Sequence, residues 1–400
     1  MNIRQTAISN DTSSLPDWDD PLRTAIPPGT INLLGKETPP RPQTDLHTPE
    51  THEPETGRLP GETEAPPLPP INPADKRVVN GNADINQLAP FRYPWAWEFF
   101  LNANKNHWTP LDINMAQDVH DYHHKLTTEE RHLYENVLAY LTTSDIMAMR
   151  NIGLAVMEKM SAPELQIYQA RQVYEEALHT WTYQHCIETL GLDQGDIYNR
   201  YRVVPAIHGK IRLASARLET VLRPDIDLNN RDDLESFALS YLFFAGIFEG
   251  CWFYNGFNPI FALQRRGLMK GTGEQLQYIL RDEAMHCAFG LRVVNQLLAE
   301  ETLKLDPVQL QAMWEEAEAA ESAYAGYLLP EPILGYSADE HMDQFRFVAN
   351  RRARALNHKE PFPGAINRLE WLEEQANLRK EKNFFETRVT EYQTGGSLTW

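Results

Sequence analysis

Two Glu-x-x-His pairs, Glu176-Ala-Leu-His179 and Glu283-Ala-Met-His286, carry the plainest chemical potential in this 400-residue sequence. On a helix, residues three apart share a face, so each pair can offer a carboxylate and an imidazole to one ion. Spacing alone carries little weight, because a chain of this composition holds roughly one such pair by chance. A third pair, Glu129-Glu-Arg-His132, lies in the polar turn TTEERH, where its glutamates serve a helix cap. What sets the other two apart is their surroundings. Glu283 and His286 share a stripe with Leu276, Ile279 and Gly290, and Glu176 and His179 continue to Tyr183 and Ile187. Two more apolar stripes are each broken by one acid. Asp145 lies with Leu141, Ala148, Met149 and Ile152, and Glu249 lies with Ala245, Trp252, Phe253, Gly256 and Phe257. A lone carboxylate taken into such a core costs several kcal/mol or gives up its charge.

Four helices that each bring one acid, two of them adding a histidine at i+3, make up a carboxylate-bridged dinuclear metal site. Four carboxylates carry a charge of about −4, which two divalent cations cancel. Oxygen and imidazole donors without thiolate favour iron or manganese over structural zinc. The competing reading, four unrelated buried acids in salt bridges, must explain six ligand-type residues arriving in bundle order.

Long helices are needed to position these residues. The pattern is helical nearly everywhere from about residue 90, with periodic segments near 128–159, 162–190, 231–265, 273–301, 307–327 and 338–357. Thr127-x-x-Glu130, Ser161-x-x-Glu164, Thr272-x-x-Gln275 and Ser337-x-x-Glu340 read as capping boxes at helix starts. Gly191 stands where a left-handed residue would close the second segment. Alternating strands with paired turn signals are absent, so the fold expected is all-α. From Asp145 to Glu176 is 31 residues and from Glu249 to Glu283 is 34, which suits neighbouring helices joined by short connections. The 73 residues from Glu176 to Glu249 leave room for a crossover with extra helices, such as 206–221. That is the connectivity of a ferritin-like bundle.

Composition divides the chain. Residues 1–75 hold 15 of the 27 prolines, 12 Asp+Glu against 5 Lys+Arg, and a single aromatic residue, Trp18. Such a segment has too little to bury to offset its ordering entropy, and it reads as a disordered acidic arm. Residues 76–380 read as the metal-binding helical domain and 381–400 as a flexible tail. A net charge of −19 argues against nucleic-acid partners, since phosphate backbones need clustered Lys and Arg. No apolar run approaches a membrane span; even 237–254 is interrupted by Glu249. The start, MNIRQTAISN, lacks an apolar stretch of signal-peptide length, and three cysteines without metal spacing suit a reducing cytoplasm.

From about Asp75 to Trp400 the sequence resembles the radical-generating small subunit of class I ribonucleotide reductase. The likeness rests on ADKRVVNGNADINQL, YPWAWEFFLNANKNHWTP, YEEALHTWTY, FEGCWFYNGF, YILRDEAMH and the ending KNFFETRVTEYQTGGSLTW. It implies that Asp145, Glu176, His179, Glu249, Glu283 and His286 are the six metal ligands. It implies that Tyr183 is the tyrosine oxidised to a stored radical, shielded by Phe253, Phe257 and Ile279. Asp282 matches the acid that links a ligand histidine, here His179, to a tryptophan on the radical route, here Trp108. Glu386 and Tyr392 match tail residues that serve radical transfer to the catalytic large subunit. Leu398 and Trp400 suit anchors on that partner. A homodimer is also implied.

The opening and closing motifs look most like a subgroup that uses a manganese–iron pair, in which the radical tyrosine is Phe and the first acid is Glu. This chain has Tyr183 and Asp145 instead. That favours an iron pair with a tyrosyl radical, with Mn/Fe and Mn/Mn as alternatives. An iron-storage protein would share the fold without needing Trp108 or a Tyr392 tail. An oxidase acting on a lipid-like ligand would lack the tail and open an apolar pocket beside the metals.

Overall fold

The computed structural model describes residues 71–372 apart from residue 334. Most of the acidic arm, and Glu386, Tyr392, Leu398 and Trp400 of the tail, lie outside the described residues. Twelve α-helical stretches occur in that span: α1 (Pro94–Ala103), α2 (Ala116–His124), α3 (Thr128–Asn151), α4 (Met157–Lys159), α5 (Pro163–Thr189), α6 (Gln194–Val203), α7 (Pro205–Leu218), α8 (Arg231–Leu242), α9 (Tyr254–Arg265), α10 (Lys270–Glu300), α11 (Pro307–Leu328) and α12 (Ala338–Ala355). Among the described residues there is no strand, only one isolated bridge between Ile333 and Tyr336. The all-α expectation holds.

Four long elements form the centre. α3 packs along α5, and α10 packs along the unit formed by α8, a π-helical segment Phe243–Phe253, and α9. α5 also meets α10, and α3 meets α9, so the pairs close into a bundle. α6 and α7 lie in the long crossover between them, as the 73-residue gap implies. α11 and α12 pack against each other, and α12 covers the π-helical segment.

The helix starts show where local signals were sufficient. Thr127 and Glu130 form the full reciprocal capping box at α3, and the Ser337 hydroxyl accepts from the Glu340 amide at α12. The other two boxes are overturned. Ser161 spends its hydroxyl on the 77–81 turn, donating to the Arg77 carbonyl and accepting from the Gly81 amide. Glu164 meanwhile accepts from the Arg92 and Tyr93 amides and from Lys76. Thr272 lies inside α10, where its hydroxyl binds Asp118 at 2.7 Å. In both cases a tertiary partner outcompeted the local cap. Gly191 does close α5, at φ +69°, with the Leu192 amide reaching back to the Ile187 carbonyl.

The periodicity of 231–265 predicts one continuous helix, and the π-helical segment inside it is a departure. A wider turn leaves carbonyls without their usual donors. Here the buried Arg352 Nε donates to the Gly250 carbonyl at 3.0 Å, and the Cys251 thiol to Gly246 at 3.2 Å. A Cβ on Gly250 would stand 2.9 Å from both the Ala245 carbonyl oxygen and the Cys287 sulfur, so only glycine fits. By length and hydropathy Arg231–Arg265 does match a membrane span, contrary to the expectation from sequence. Its apolar window is nevertheless 89% buried within the bundle.

Candidate metal centre

Each predicted ligand arrives from the element expected. Asp145 projects from α3, Glu176 and His179 from α5, Glu249 from the π-helical segment, and Glu283 and His286 from α10. None is more than 1% exposed. Their ligand atoms fall into two groups, each with all atoms within 4.8 Å of one another. One group is Asp145, Glu176, His179 and Glu283; the other is Glu176, Glu249, Glu283 and His286. Glu176 and Glu283 belong to both. Each group thus has one histidine and one acid of its own, and two carboxylates common to both would be available to either of two ions.

Hydrogen bonding tests whether metal ions fit. Both oxygens of Asp145, Glu176, Glu249 and Glu283 are buried without a hydrogen-bond partner, as are Nδ1 of His179 and Nδ1 of His286. Buried polar atoms are nearly always satisfied, so ten orphans converging on two points require a group that the protein itself does not supply. The histidines are satisfied on their outer sides only. His179 Nε2 donates to Asp282 at 3.3 Å, and His286 Nε2 donates to Glu175 at 2.8 Å. Because an ionised carboxylate can only accept, each Nε2 carries the proton and each Nδ1 is free to ligate.

The electrostatics agree. Burial, and then the Glu176 carboxylate, push the Asp145 and Glu249 carboxyls well above their ordinary range. Burial works the same way on Glu283, but the neighbouring Glu249 carboxyl and the close His179 and His286 rings outweigh it and hold that carboxyl well below its usual range. Burial should lower both histidines; the surrounding carboxylates instead raise them well above 6.5. Protons thus gather in the metal-free cluster, where divalent cations would take their place.

The remaining predicted residues divide by region. Tyr183 is fully buried one turn beyond His179, and its hydroxyl has no hydrogen-bond partner. Burial, and then the Asp145 carboxylate, push its phenol well above 10. Phe253, Phe257 and Ile279 are also fully buried, the two phenylalanines stacking at 6.3 Å. Trp108 donates from Nε1 to Asp282 at 3.2 Å, and its ring stacks on His179 at 6.4 Å. The expected link Trp108–Asp282–His179 is therefore continuous.

Sequence reasoning missed Glu175, Arg171 and Asn106. Asn106 donates to the second Asp282 oxygen, and Arg171 pairs with Glu175 at 2.9 Å. A signal for Glu175 was present: an acid immediately precedes each ligand glutamate, as Glu175-Glu176-x-x-His179 and Asp282-Glu283-x-x-His286. The pattern crosses over, because each acid serves the histidine of the other helix.

Comparison with known proteins agrees with this geometry. The family model for the ribonucleotide reductase small chain matches residues 85–368. The Chlamydia pneumoniae ribonucleoside-diphosphate reductase subunit beta is 38% identical over 336 residues, covering 82% of this chain and 96% of its own. The Dictyostelium discoideum small subunit is 30% identical over 322 residues, covering 80% and 89% respectively. In fold, the Clostridium botulinum ribonucleotide reductase R2 subunit superposes with a TM-score of 0.68 at 21% identity, over 75% of this chain and 94% of that one. With the family model spanning well over half the sequence and the bundle shared, this chain belongs to the ribonucleotide reductase small-chain family.

Proposed function

We propose that the chain is the radical-generating small subunit of a class I ribonucleoside-diphosphate reductase, acting in the cytoplasm as a homodimer with a separate catalytic large subunit. The observation that carries this reading is the pair of ligand groups sharing Glu176 and Glu283, with Tyr183 one turn past His179. When bound, two redox-active ions supply the oxidising equivalent through their reaction with dioxygen. Tyr183 and Asp145 in place of Phe and Glu favour an iron pair, with manganese–iron or two manganese ions as the alternatives.

The protein's own part is positioning and exclusion. Tyr183 would hold the equivalent as a tyrosyl radical, and its complete burial keeps water from it. Phe253, Phe257 and Ile279, all fully buried, would shield it with side chains that have no heteroatom hydrogen to give up. Trp108 would pass the electron, with Asp282 Oδ2 placed to receive the indole proton. Beyond the described residues, Glu386 and Tyr392 would continue the route while Leu398 and Trp400 dock on the large subunit. Ribonucleotide reduction then takes place on that partner.

Substitution at the radical position is the test. Tyr183→Phe should leave metal content unchanged and remove the tyrosyl signal from electron paramagnetic resonance after oxygen exposure. A signal that persists would overturn the assignment. Turnover without any tyrosyl signal would instead favour a metal-centred oxidant.

A further inference from the structure

The two acids behind the ligand histidines are held in different ways. Asp282 accepts from Asn106 Nδ2, Trp108 Nε1 and His179 Nε2. Among the described residues, no lysine or arginine lies within salt-bridge distance of it. Glu175, fully buried, accepts from His286 Nε2 through one oxygen and from Arg171 Nε at 2.9 Å through the other. Arg171 then reaches further. Its terminal nitrogen donates to the Ala103 carbonyl at 3.3 Å and to the Asn106 carbonyl at 3.2 Å, and its guanidinium lies 4.9 Å from the Tyr174 ring centre. Asn106 is the residue whose side chain meets Asp282, and Trp108 stands two residues later. A continuous path therefore runs His286–Glu175–Arg171–Asn106–Asp282–His179 around the outside of the cluster.

We propose that Arg171 is the positioning residue that ties the backs of the two metal-binding histidines together and makes their supporting acids unequal. The guanidinium fork suits both tasks: it meets a carboxylate with one edge and two carbonyls with another. On the α5 side it fixes Glu175, and so the ring plane of His286. On the loop side it fixes the 103–106 turn that delivers Asn106 and Trp108 to Asp282. Its permanent charge pairs with Glu175, whereas Asp282 is met by Asn106, Trp108 and His179 and, among the described residues, by no guanidinium. This inference rests on the metal-binding reading of His179 and His286, but its geometric part does not.

Hydrogen–deuterium exchange on the metal-free full chain tests that part directly. The Asn104, Lys105 and Asn106 amides are protected by bonds to Phe100, Asn102 and Ala103. Arg171→Gln should speed their exchange about tenfold, the effect expected for losing one or two hydrogen bonds that hold a local unit closed. Exchange along the middle of α5 should stay as it was. Arg171→Lys keeps the charge but not the fork; it should speed the same amides while retaining metal content. In Arg171→Gln, manganese(II) titrated into the protein should lose affinity at the position of His286 more than at that of His179. Unchanged exchange at 104–106 in both variants, or equal loss of metal from Lys and Gln variants, would overturn the proposal. Failure of the unsubstituted protein to form a radical would reject the functional reading alone, since the exchange measurement needs no metal.

Discussion

Among the described residues, the buried charges around Glu283 and those around Glu321 solve the same problem differently. Glu321 is fully buried, yet its oxygens accept from Lys210 at 2.5 Å, from Asn255 at 2.7 Å and from His341 at 2.6 Å. His341 in turn bonds Tyr336, and the Lys210 ammonium lies 3.8 Å from the centre of the Tyr140 ring and 4.5 Å from that of Tyr324. The Glu283 cluster is equally buried but leaves its inner oxygens and both Nδ1 atoms unpaired. Burial of acids and histidines is common to both, so burial does not reveal a binding site. The distinguishing mark is unmet hydrogen-bonding capacity that points inward.

The largest expected effect separates the clusters in the metal-free protein. Glu321→Gln leaves the Lys210 ammonium buried beside a neutral amide, and it should cost roughly 3–5 kcal/mol in urea denaturation. Glu249→Gln removes a charge the fold already disfavours, so stability should hold or rise while metal loading falls. Equal destabilisation by the two substitutions would erase the distinction between the clusters.

Acid and alkali sharpen the comparison next. For Glu321, burial raises the carboxyl, but the Lys210 charge and His341 outweigh it and hold its pKa at about 2, against an ordinary 4.5. Its stabilisation is present above 4.5 and is lost as the pH falls toward that lower value. Most of the metal cluster has the opposite sign. His179 and His286, raised well above 6.5, stabilise the metal-free fold below that pH and stop doing so as the pH climbs through their folded values. Asp145 and Glu249, also raised, contribute fully only below their ordinary values of 3.8 and 4.5 and lose that contribution as the pH rises from there toward their folded values. Glu283 behaves like Glu321. Urea midpoints of metal-free protein should therefore fall between neutral and alkaline pH, and excess manganese(II) should remove that fall by replacing the protons. Midpoints that decline equally with and without metal would contradict this exchange of protons for cations.

The smallest effect calibrates the rim of the satisfied cluster. Asn258 donates to Asn255 at 3.0 Å, one step from Glu321. Asn258→Ala should cost about 1 kcal/mol, the usual net worth of one such bond, with metal content untouched. A loss comparable to that of Glu321→Gln would mean that the network depends on its rim as much as on its ion pair.

The six residues that converge in the candidate centre were legible in the sequence because an acid on an apolar stripe is conspicuous against 3.6-residue periodicity. Asp145 and Glu249 were found that way, without any histidine nearby in sequence. The Trp108–Asp282–His179 link was legible only through family resemblance, since Trp108 is far from Asp282 along the chain. Glu175 and Arg171 escaped because their roles depend on which helix faces which. Arg171 at i−4 from Glu175 looks like an ordinary surface pair until the 103–106 turn is placed beside it. Ser161 and Thr272 show the reverse failure, in which a sound local motif gave way to a tertiary partner. The π-helical segment left no trace in periodicity because every residue from Phe243 to Phe253 is buried and the stretch offers no polar face to shift.

That segment also makes residue count part of the site. Within it, each turn closes one residue later than in the flanking helices, so α8 and α9 keep separate rotational registers along one continuous rod. A one-residue insertion between Leu242 and Glu249 could not be absorbed by turns that are already wide, and each residue added swings the downstream side chains by about 100°. Glu249 would then leave the cluster even though no ligand had been replaced. In this helix an insertion is therefore as consequential as substitution of a candidate ligand, and spacing between residues 242 and 254 is a better test of a working relative than the identity of the apolar residues that fill it.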